Sequence, residues 1–368
     1  MKHKPHKLTF RLAGISAAFS AVAVLLAGSS TPLTAQDAGA DPSTRPDAAV
    51  APVVTELDAL EVLKGVRQRL ESLEFLECTL YETVQLSDLR FYAKGRYAQA
   101  SGNRVRLEFQ IFPIRGLRRT DEATLKLDGE PEDTGKQQPT GELTQVSDGN
   151  ALWSYWKNGD SARLTRRNIQ EILKVAAEAE NFEAGQMLED LGAGGVQSLI
   201  ARLQVGMEFG KVHEQSIGDL RLLVITGRWT AESLAQYFKV NDPAAPRPGW
   251  MPEYIRVYVD AEAMLPRRIQ YLKKHPNPEL KQVRPLITLD FRGMTVNDTI
   301  DESQFQFEAP EGQLELDLTE LTIEAIQEAT NPGAAAAPNA EVKDAPLNQG
   351  EDSTDVPAED ADSSESGN

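Results

Sequence analysis

Apolar side chains early in the chain change from a helical spacing to a strand spacing. Over residues 57–73, leucine and valine recur at steps of three and four with charged residues between them, which predicts an amphipathic helix. The next stretches alternate between apolar and polar positions and predict three strands, at residues 78–85, 90–100 and 104–111. One face of the third strand is apolar and carries Val105, Leu107, Phe109 and Ile111. Such alternation is typical of a sheet with one face on a core and the other in water.

The second half of the chain repeats this change of period. Helical stripes predict two helices within residues 164–206, and an Asp148-Gly149 pair before them predicts a hairpin turn. We expect the strand pattern to return and to run on as far as residue 312, with strands at residues 207–212, 220–229, 254–259, 266–273 and 286–293. Because helices and strands come in separate runs, we predict an α+β fold whose antiparallel sheet curves strongly over helices.

Residues 1–35 have the features of a secretory signal. Four basic residues precede an uncharged run at residues 12–27, and small residues follow it as far as Ala35. The run holds 16 residues, fewer than the roughly 20 that span a bilayer. Cleavage is therefore favoured over a retained membrane anchor, which is the alternative. Ser29 stands where a lipid-bearing cysteine would be needed, so we predict a periplasmic or secreted protein without direct lipidation there.

Composition divides the rest of the chain. Residues 331–368 hold nine acidic residues, one lysine and few bulky apolar side chains, which predicts a disordered acidic tail. A shorter disordered linker is expected at residues 36–54, and an exposed excursion between strands at residues 128–141. Residues 55–330 remain for the folded part, which is long enough for one large domain or two small ones. The net charge of −18 argues against nucleic acid as a partner.

Residue patterns for catalysis or metal binding are missing from the sequence. Cys78 is the only cysteine, so we expect it as a small buried side chain on a strand. Beyond the signal, the histidines are His213 and His275, and neither stands in a metal-ligand spacing. Carboxylates such as Glu77 and Glu82 are common in so acidic a chain, and we expect most of them to be solvated. We therefore expect no enzyme activity, no catalytic residue, no metal and no cofactor.

Four groups of motifs follow one another between residues 55 and 315. They are Ala59-Leu60-Glu61-Val62-Leu63 with Leu80-Tyr81-Glu82-Thr83-Val84, Ser147-Asp148-Gly149 with Leu152-Trp153-Ser154-Tyr155, Val259-Asp260 with Leu265-Pro266-Arg267-Arg268-Ile269, and Phe305-Gln306-Phe307-Glu308-Ala309-Pro310-Glu311-Gly312. In this order they resemble the opening helix and strand, the Asp-Gly hairpin, the Leu-Pro strand pair and the closing Phe-x-Phe segment of the LolA-like family of periplasmic lipoprotein carriers. Ala263-Met264 stand where that family often has glycine.

The resemblance implies an unclosed half-barrel sheet wrapped over helices. It also implies a hydrophobic cavity that binds the acyl chains of lipids or lipoproteins. A protein with this cavity would carry lipoproteins toward the outer membrane. Eight side chains are the candidates to line that cavity: Leu107, Phe109, Ile111, Trp153, Tyr155, Ile287, Leu289 and Phe291. An ordinary core under a half-buried sheet would need the same residue types, so each candidate is equally a core residue.

A second interpretation keeps the fold without the transport role. The chain is longer than the carriers because of the excursion, a Pro-rich loop at residues 242–252 and the acidic tail. An envelope sensor, similar to the RseB-like branch of the family, or a protein-interaction module would use the tail or the loop to contact an envelope protein. Under both interpretations we expect a monomer.

Overall fold

The computed structural model describes residues 53–54, 57–86, 89–114, 138–178, 191–238, 240–242, 245, 247–280, 282–296 and 301–330. The expected signal, most of the linker, residues 128–137 of the excursion and the acidic tail lie outside these ranges. Within the ranges, no helix combines the length and the apolar character needed to cross a membrane.

The described part of the chain contains five α-helices: α1 (Ala59–Glu71), α2 (Ile169–Ala177), α3 (Gly195–Gly206), α4 (Ala231–Phe238) and α5 (Thr319–Thr330). The first begins after Asp58, whose carboxylate accepts a hydrogen bond from the backbone N–H of Leu60 at 2.7 Å. The second begins after Asn168, whose side chain accepts from the N–H of Glu171 at 3.2 Å. The helices predicted around residues 57–73 and within 164–206 are therefore confirmed.

Fourteen strands of the described chain form one sheet. They are β1 (Val53–Val54), β2 (Phe75–Leu86), β3 (Leu89–Ala100), β4 (Arg104–Pro113), β5 (Gly141–Asp148), β6 (Ala151–Asn158), β7 (Ser161–Asn168), β8 (Met207–Phe209), β9 (His213–Ile217), β10 (Leu220–Trp229), β11 (Tyr254–Asp260), β12 (Pro266–Lys274), β13 (Val283–Val296) and β14 (Glu315–Asp317).

The strand order is β1-β9-β10-β11-β12-β13-β2-β3-β4-β5-β6-β7-β14, and β8 pairs with β10 beside this path. Neighbouring strands are antiparallel except β14, which runs parallel to β7. Because β1 and β14 stand at opposite ends of the order, the sheet is unclosed. The expected α+β fold with a curved, unclosed sheet over helices is confirmed, with this one parallel pair as the exception. The sheet begins at Val53, two residues inside the stretch expected to be linker, because β1 pairs with β9.

Several elements differ from the sequence prediction. Strand β7 runs to Asn168, where a helical pattern was expected from residue 164, and its polar side chains on both faces hide the alternation. Strands β9 and β14 and helices α4 and α5 were not predicted. The expectation of strands as far as residue 312 is wrong: a short 3₁₀ helix spans Glu302–Phe305, and the residues after it are irregular up to β14.

Residues 301–317, which we call the strap, cross the face of the sheet that lies opposite the main hydrophobic cluster. Phe305 is buried against Phe75 of β2, with ring centroids 6.4 Å apart. Phe307 stacks on Trp153 of β6, with centroids 6.0 Å apart. The strap then ends in β14, which pairs with the edge of β7. The residues that resemble the closing motif therefore pack on β2 and β6 from outside the sheet and are not themselves a strand.

Candidate functional site

One face of the sheet, which we call the inner face, is covered by helices. Cross-strand pairs fix its members: Leu107 lies opposite Tyr97, and Phe291 lies opposite Leu80. The helices α1 and α3 pack against each other and add their own buried side chains to the same cluster, namely Leu63, Val66, Leu199, Ile200 and Leu203. The inner face is thus the core of the molecule, and the opposite outer face carries the strap.

Six of the eight candidate side chains lie on the inner face. They are at most 4% exposed and belong to the main hydrophobic cluster: Leu107, Phe109, Ile111, Ile287, Leu289 and Phe291. These positions come together from β4 and β13, which lie on either side of β2 and β3 in the sheet. Because these side chains are packed in the core, a charged substitution at any of them would report on folding and not on ligand binding.

The other two candidates lie on the outer face. Trp153 pairs with Val146 and Tyr155 pairs with Thr144, so both point away from α1 and α3. The Nε1 of Trp153 donates a hydrogen bond to Glu315 of the strap at 3.2 Å. Trp156 takes the inner position instead and packs against the main cluster. Aromatic residues occupy both phases of this strand, so alternation alone could not choose between the faces.

A cavity of about 230 Å³ lies at one end of the inner face, where α1 ends and α3 begins. Its lining includes Leu70, Leu76, Val105 and Gly194. Pockets for drug-sized ligands usually measure about 300–1,000 Å³. The cavity is thus smaller than a typical ligand site, and a lipid with acyl chains needs more room than it offers.

The start of α3 is fastened to the sheet beside this cavity. The buried Tyr97 hydroxyl accepts a hydrogen bond from the N–H of Val196 at 2.9 Å and donates one to Gln99 Oε1 at 2.7 Å. Burial also raises the pKa of Tyr97. This hydroxyl therefore stays neutral and links β3 to the first turn of α3.

Glu82 is the unexpected member of the inner face. It lies on β2 between Ala93 of β3 and Leu289 of β13, and it is 1% exposed. Neither carboxylate oxygen has a hydrogen-bond partner among the described protein groups. Burial raises the pKa of Glu82 to about 8. The expectation of a solvated carboxylate is therefore wrong for Glu82, although the sequence held the signal, since residue 82 is in phase with Leu80 and Val84.

Glu77, five residues earlier, behaves as an ordinary surface carboxylate. It lies on the outer face, where Arg96 Nε donates to its Oε1 at 2.7 Å and Arg96 Nη2 donates to its Oε2 at 2.9 Å. These hydrogen bonds hold the pKa of Glu77 below its usual value. The contrast shows that the face of the sheet on which a carboxyl lies, and not the acidity of the surrounding sequence, decides whether its pKa is raised or lowered.

Cys78 also lies on the inner face, and burial raises the pKa of its thiol to about 12. It is therefore the small buried strand residue that the sequence predicted, and not a reactive thiol. Among the described residues, no group of three or more His, Cys, Asp or Glu side chains is placed to hold a metal ion.

Comparison with known proteins finds similarity in structure only. No protein-family model matches the chain, and no curated protein sequence matches it significantly. A LolA superfamily protein from Nitrosomonas europaea is 10% identical, with 68% of this chain and 98% of that chain covered and a TM-score of 0.23. An outer membrane lipoprotein-sorting protein domain from Vibrio parahaemolyticus is also 10% identical, with 67% and 95% covered and a TM-score of 0.27.

The Pseudomonas aeruginosa MucA/MucB complex contains a chain that is 11% identical, with 68% of this chain and 62% of that chain covered and a TM-score of 0.30. At such TM-scores, the fold of the present chain stands on its own strand order and registers.

Proposed function

We propose that the chain is an exported, soluble protein that binds the acyl chains of lipids or lipoproteins on its inner face, and that it carries lipoproteins toward the outer membrane. One observation supports this proposal above all: a continuous apolar face runs from β10 to β5 of a single unclosed sheet, and two short helices cover much of it. In this proposal residues 1–35 are a signal, residues 55–330 are the binding domain and residues 331–368 are a disordered tail.

The inner-face cavity is too small for a lipid to enter without a movement of the helices that cover it. The inner-face cavity of about 230 Å³ does not hold an acyl chain with its polar group, so loading of the inner face requires that α1 and α3 move away from the sheet. These helices pack against each other and can move as a pair. The side chains that the movement uncovers are the six inner-face candidates together with Trp156, which takes the place of Trp153 and Tyr155 in the proposed lining.

A quenching experiment tests whether acyl chains reach the inner face. The chain has four tryptophans: Trp156 and Trp229 lie on the inner side, Trp153 lies on the outer face, and Trp250 is 44% exposed in the Pro-rich loop. A fatty acid brominated along its chain quenches the tryptophans that it contacts. We therefore expect the Trp153→Phe, Trp250→Phe double variant to lose most of its fluorescence when this fatty acid is added.

The complementary double variant, Trp156→Phe with Trp229→Phe, is the matched control. It keeps only the outer-face and loop tryptophans, so its fluorescence should stay nearly constant. Equal quenching of the two double variants would mean that the ligand binds elsewhere, and no quenching of either would contradict acyl-chain binding. Mass spectrometry of an organic extract of the natively purified protein would then identify the lipid.

An interaction module is the second candidate function. Trp250 in the Pro-rich loop is 44% exposed and Leu314 in the strap is 87% exposed, and exposed large apolar side chains suit a protein contact. Removal of residues 331–368 separates the two functions. A lipid-binding protein keeps its ligand after this deletion, as fluorescence titration would show, whereas an envelope complex that depends on the tail is lost in a pull-down.

A further inference from the structure

An isolated carboxyl group stands in the middle of the inner face. Strand β2 is the seventh of the thirteen strands in the sheet order, and Glu82 lies near the middle of this strand. Its neighbours along the strand are Leu80 and Val84, and its cross-strand neighbours are Ala93 and Leu289. All four are at most 1% exposed. The surface around the carboxyl group is therefore apolar in every direction within the sheet.

Two other polar side chains on this face have hydrogen-bond partners, whereas the Nε1 of Trp229, like the Glu82 carboxyl, has none among the described protein groups. The Gln145 amide donates to Ser154 at 3.3 Å, and the Tyr97 hydroxyl donates to Gln99 at 2.7 Å. Glu82 has no such partner among the described protein groups. Buried polar groups in native proteins are nearly always paired, so the unpaired Glu82 carboxyl calls for a partner that the described residues do not supply.

The surroundings of Glu82 narrow the chemistry of that partner. Burial is the cause that raises the pKa of this carboxyl, and no charged side chain among the described residues contributes to that shift, so Glu82 forms no ion pair with the described part of the chain. The described His, Cys, Asp and Glu residues include no cluster that could hold a metal ion with it. A hydrogen-bond donor on a largely apolar ligand is the partner that suits a single carboxyl among leucine and valine side chains.

We propose that Glu82 is a ligand-binding residue, whose carboxyl oxygen accepts a hydrogen bond from a hydroxyl or amide N–H group of an acylated ligand. The acyl chain of this ligand lies against Leu80, Val84 and Leu289. The proposal rests on the proposed function, since the ligand reaches Glu82 only if it enters between the sheet and the pair α1 and α3.

A matched pair of ligands tests the proposal on the full mature protein. Dodecanol carries a hydroxyl donor, and its methyl ether keeps the chain and the oxygen but has no donor. Dissociation constants are measured by displacement of a fluorescent fatty-acid probe, for the wild type and for the Glu82→Leu and Glu82→Gln variants. The pH is kept at about 9, above the pKa of about 8 of Glu82, because the ionised carboxylate only accepts hydrogen bonds and cannot donate one to the ether. Leucine removes the acceptor, whereas the glutamine amide keeps one in nearly the same shape.

The expected result is a preference for the alcohol over the ether that is roughly tenfold greater in the wild type than in Glu82→Leu, as the loss of one buried hydrogen bond implies. Glu82→Gln, whose amide can accept from the alcohol but can also donate to the ether oxygen, should show a smaller preference than the wild type. Glu82→Leu should still bind the ether. If the wild type and Glu82→Leu both bind the ether and prefer the alcohol to the same degree, the role of Glu82 is overturned. The proposed function would still stand. Failure of the wild type to bind either ligand would overturn both.

Discussion

Replacement of Glu82 by leucine is expected to stabilise the protein, and to do so more strongly as the pH rises. The folded protein holds a proton on this carboxyl up to a pKa of about 8, whereas the ordinary value is 4.5. Between these two values the folded state binds more protons than the unfolded state, so the free energy of unfolding falls as the pH increases. The contribution of the neutral carboxyl is fully present below pH 4.5 and is lost by the time the pH has passed about 8.

The size of the effect follows from the same pKa difference. Glu82→Leu has no group that titrates at this position, so the gap in unfolding free energy between the variant and the wild type should widen by about 1.4 kcal/mol for each pH unit within this window. Leucine also removes an unpaired buried polar group, which adds about 1–3 kcal/mol at every pH. Urea unfolding at a series of pH values measures both contributions.

Glu82→Gln is the control for this measurement. Its amide is as polar as the neutral carboxyl but does not titrate. The variant should therefore lose the part of the pH dependence of stability that Glu82 contributes, while gaining less stability than Glu82→Leu. A gap between wild type and Glu82→Leu that stays constant from pH 5 to pH 8 would mean that the carboxyl is not buried in solution as it is in the structure.

Replacement of Phe305 by alanine is expected to destabilise the fold by about 3–5 kcal/mol. Phe305 is 1% exposed, packs against Phe75, Ala98 and Ala100, and lies 5.6 Å from the guanidinium group of Arg104. The strap holds no other aromatic side chain that is buried to this degree. Loss of this ring should therefore loosen the strap along the outer face, and thermal or urea unfolding would measure the loss.

Phe307→Ala is the matched control within the same motif. Phe307 is only half-buried and contacts Trp153 through one stacked pair, so its removal should cost about 0.5–1.5 kcal/mol. Because Phe307 stacks on Trp153, the fluorescence of Trp153 reports on this contact. Phe307→Ala should therefore change the emission spectrum of Trp153. Equal destabilisation by the two variants would show that the strap is held by its backbone pairing at β14 and not by Phe305.

The sequence predicted the inner face of the sheet well, because its strands carry unbroken alternation. Val105, Leu107, Phe109 and Ile111 alternate with arginine, glutamate and glutamine, and the structure buries each of the four. The same holds for Ile287, Leu289 and Phe291. A period of two fixes which side chains share a face, and burial of one face then fixes the register.

Elements held by long-range contacts could not be predicted in this way. Strand β7 carries arginine on both faces, and β14 is a strand only because β7 offers it an edge. Trp153 and Trp156 are both aromatic, so their faces depend on pairing with β5 and not on their own pattern. Glu82 escapes prediction for the opposite reason, because its acidic side chain indicates solvent exposure whereas its position in phase with Leu80 and Val84 indicates burial.

The strap has a further consequence for how molecules of this protein meet one another. Without β14, strand β7 would present an eight-residue edge of unpaired backbone groups to solvent. Such an edge is a template for a strand of another molecule and promotes aggregation. The three residues of β14 cover part of this edge with a strand from the same chain, and α5 follows it directly. The strap therefore leaves fewer backbone groups of this edge open to a strand of another molecule.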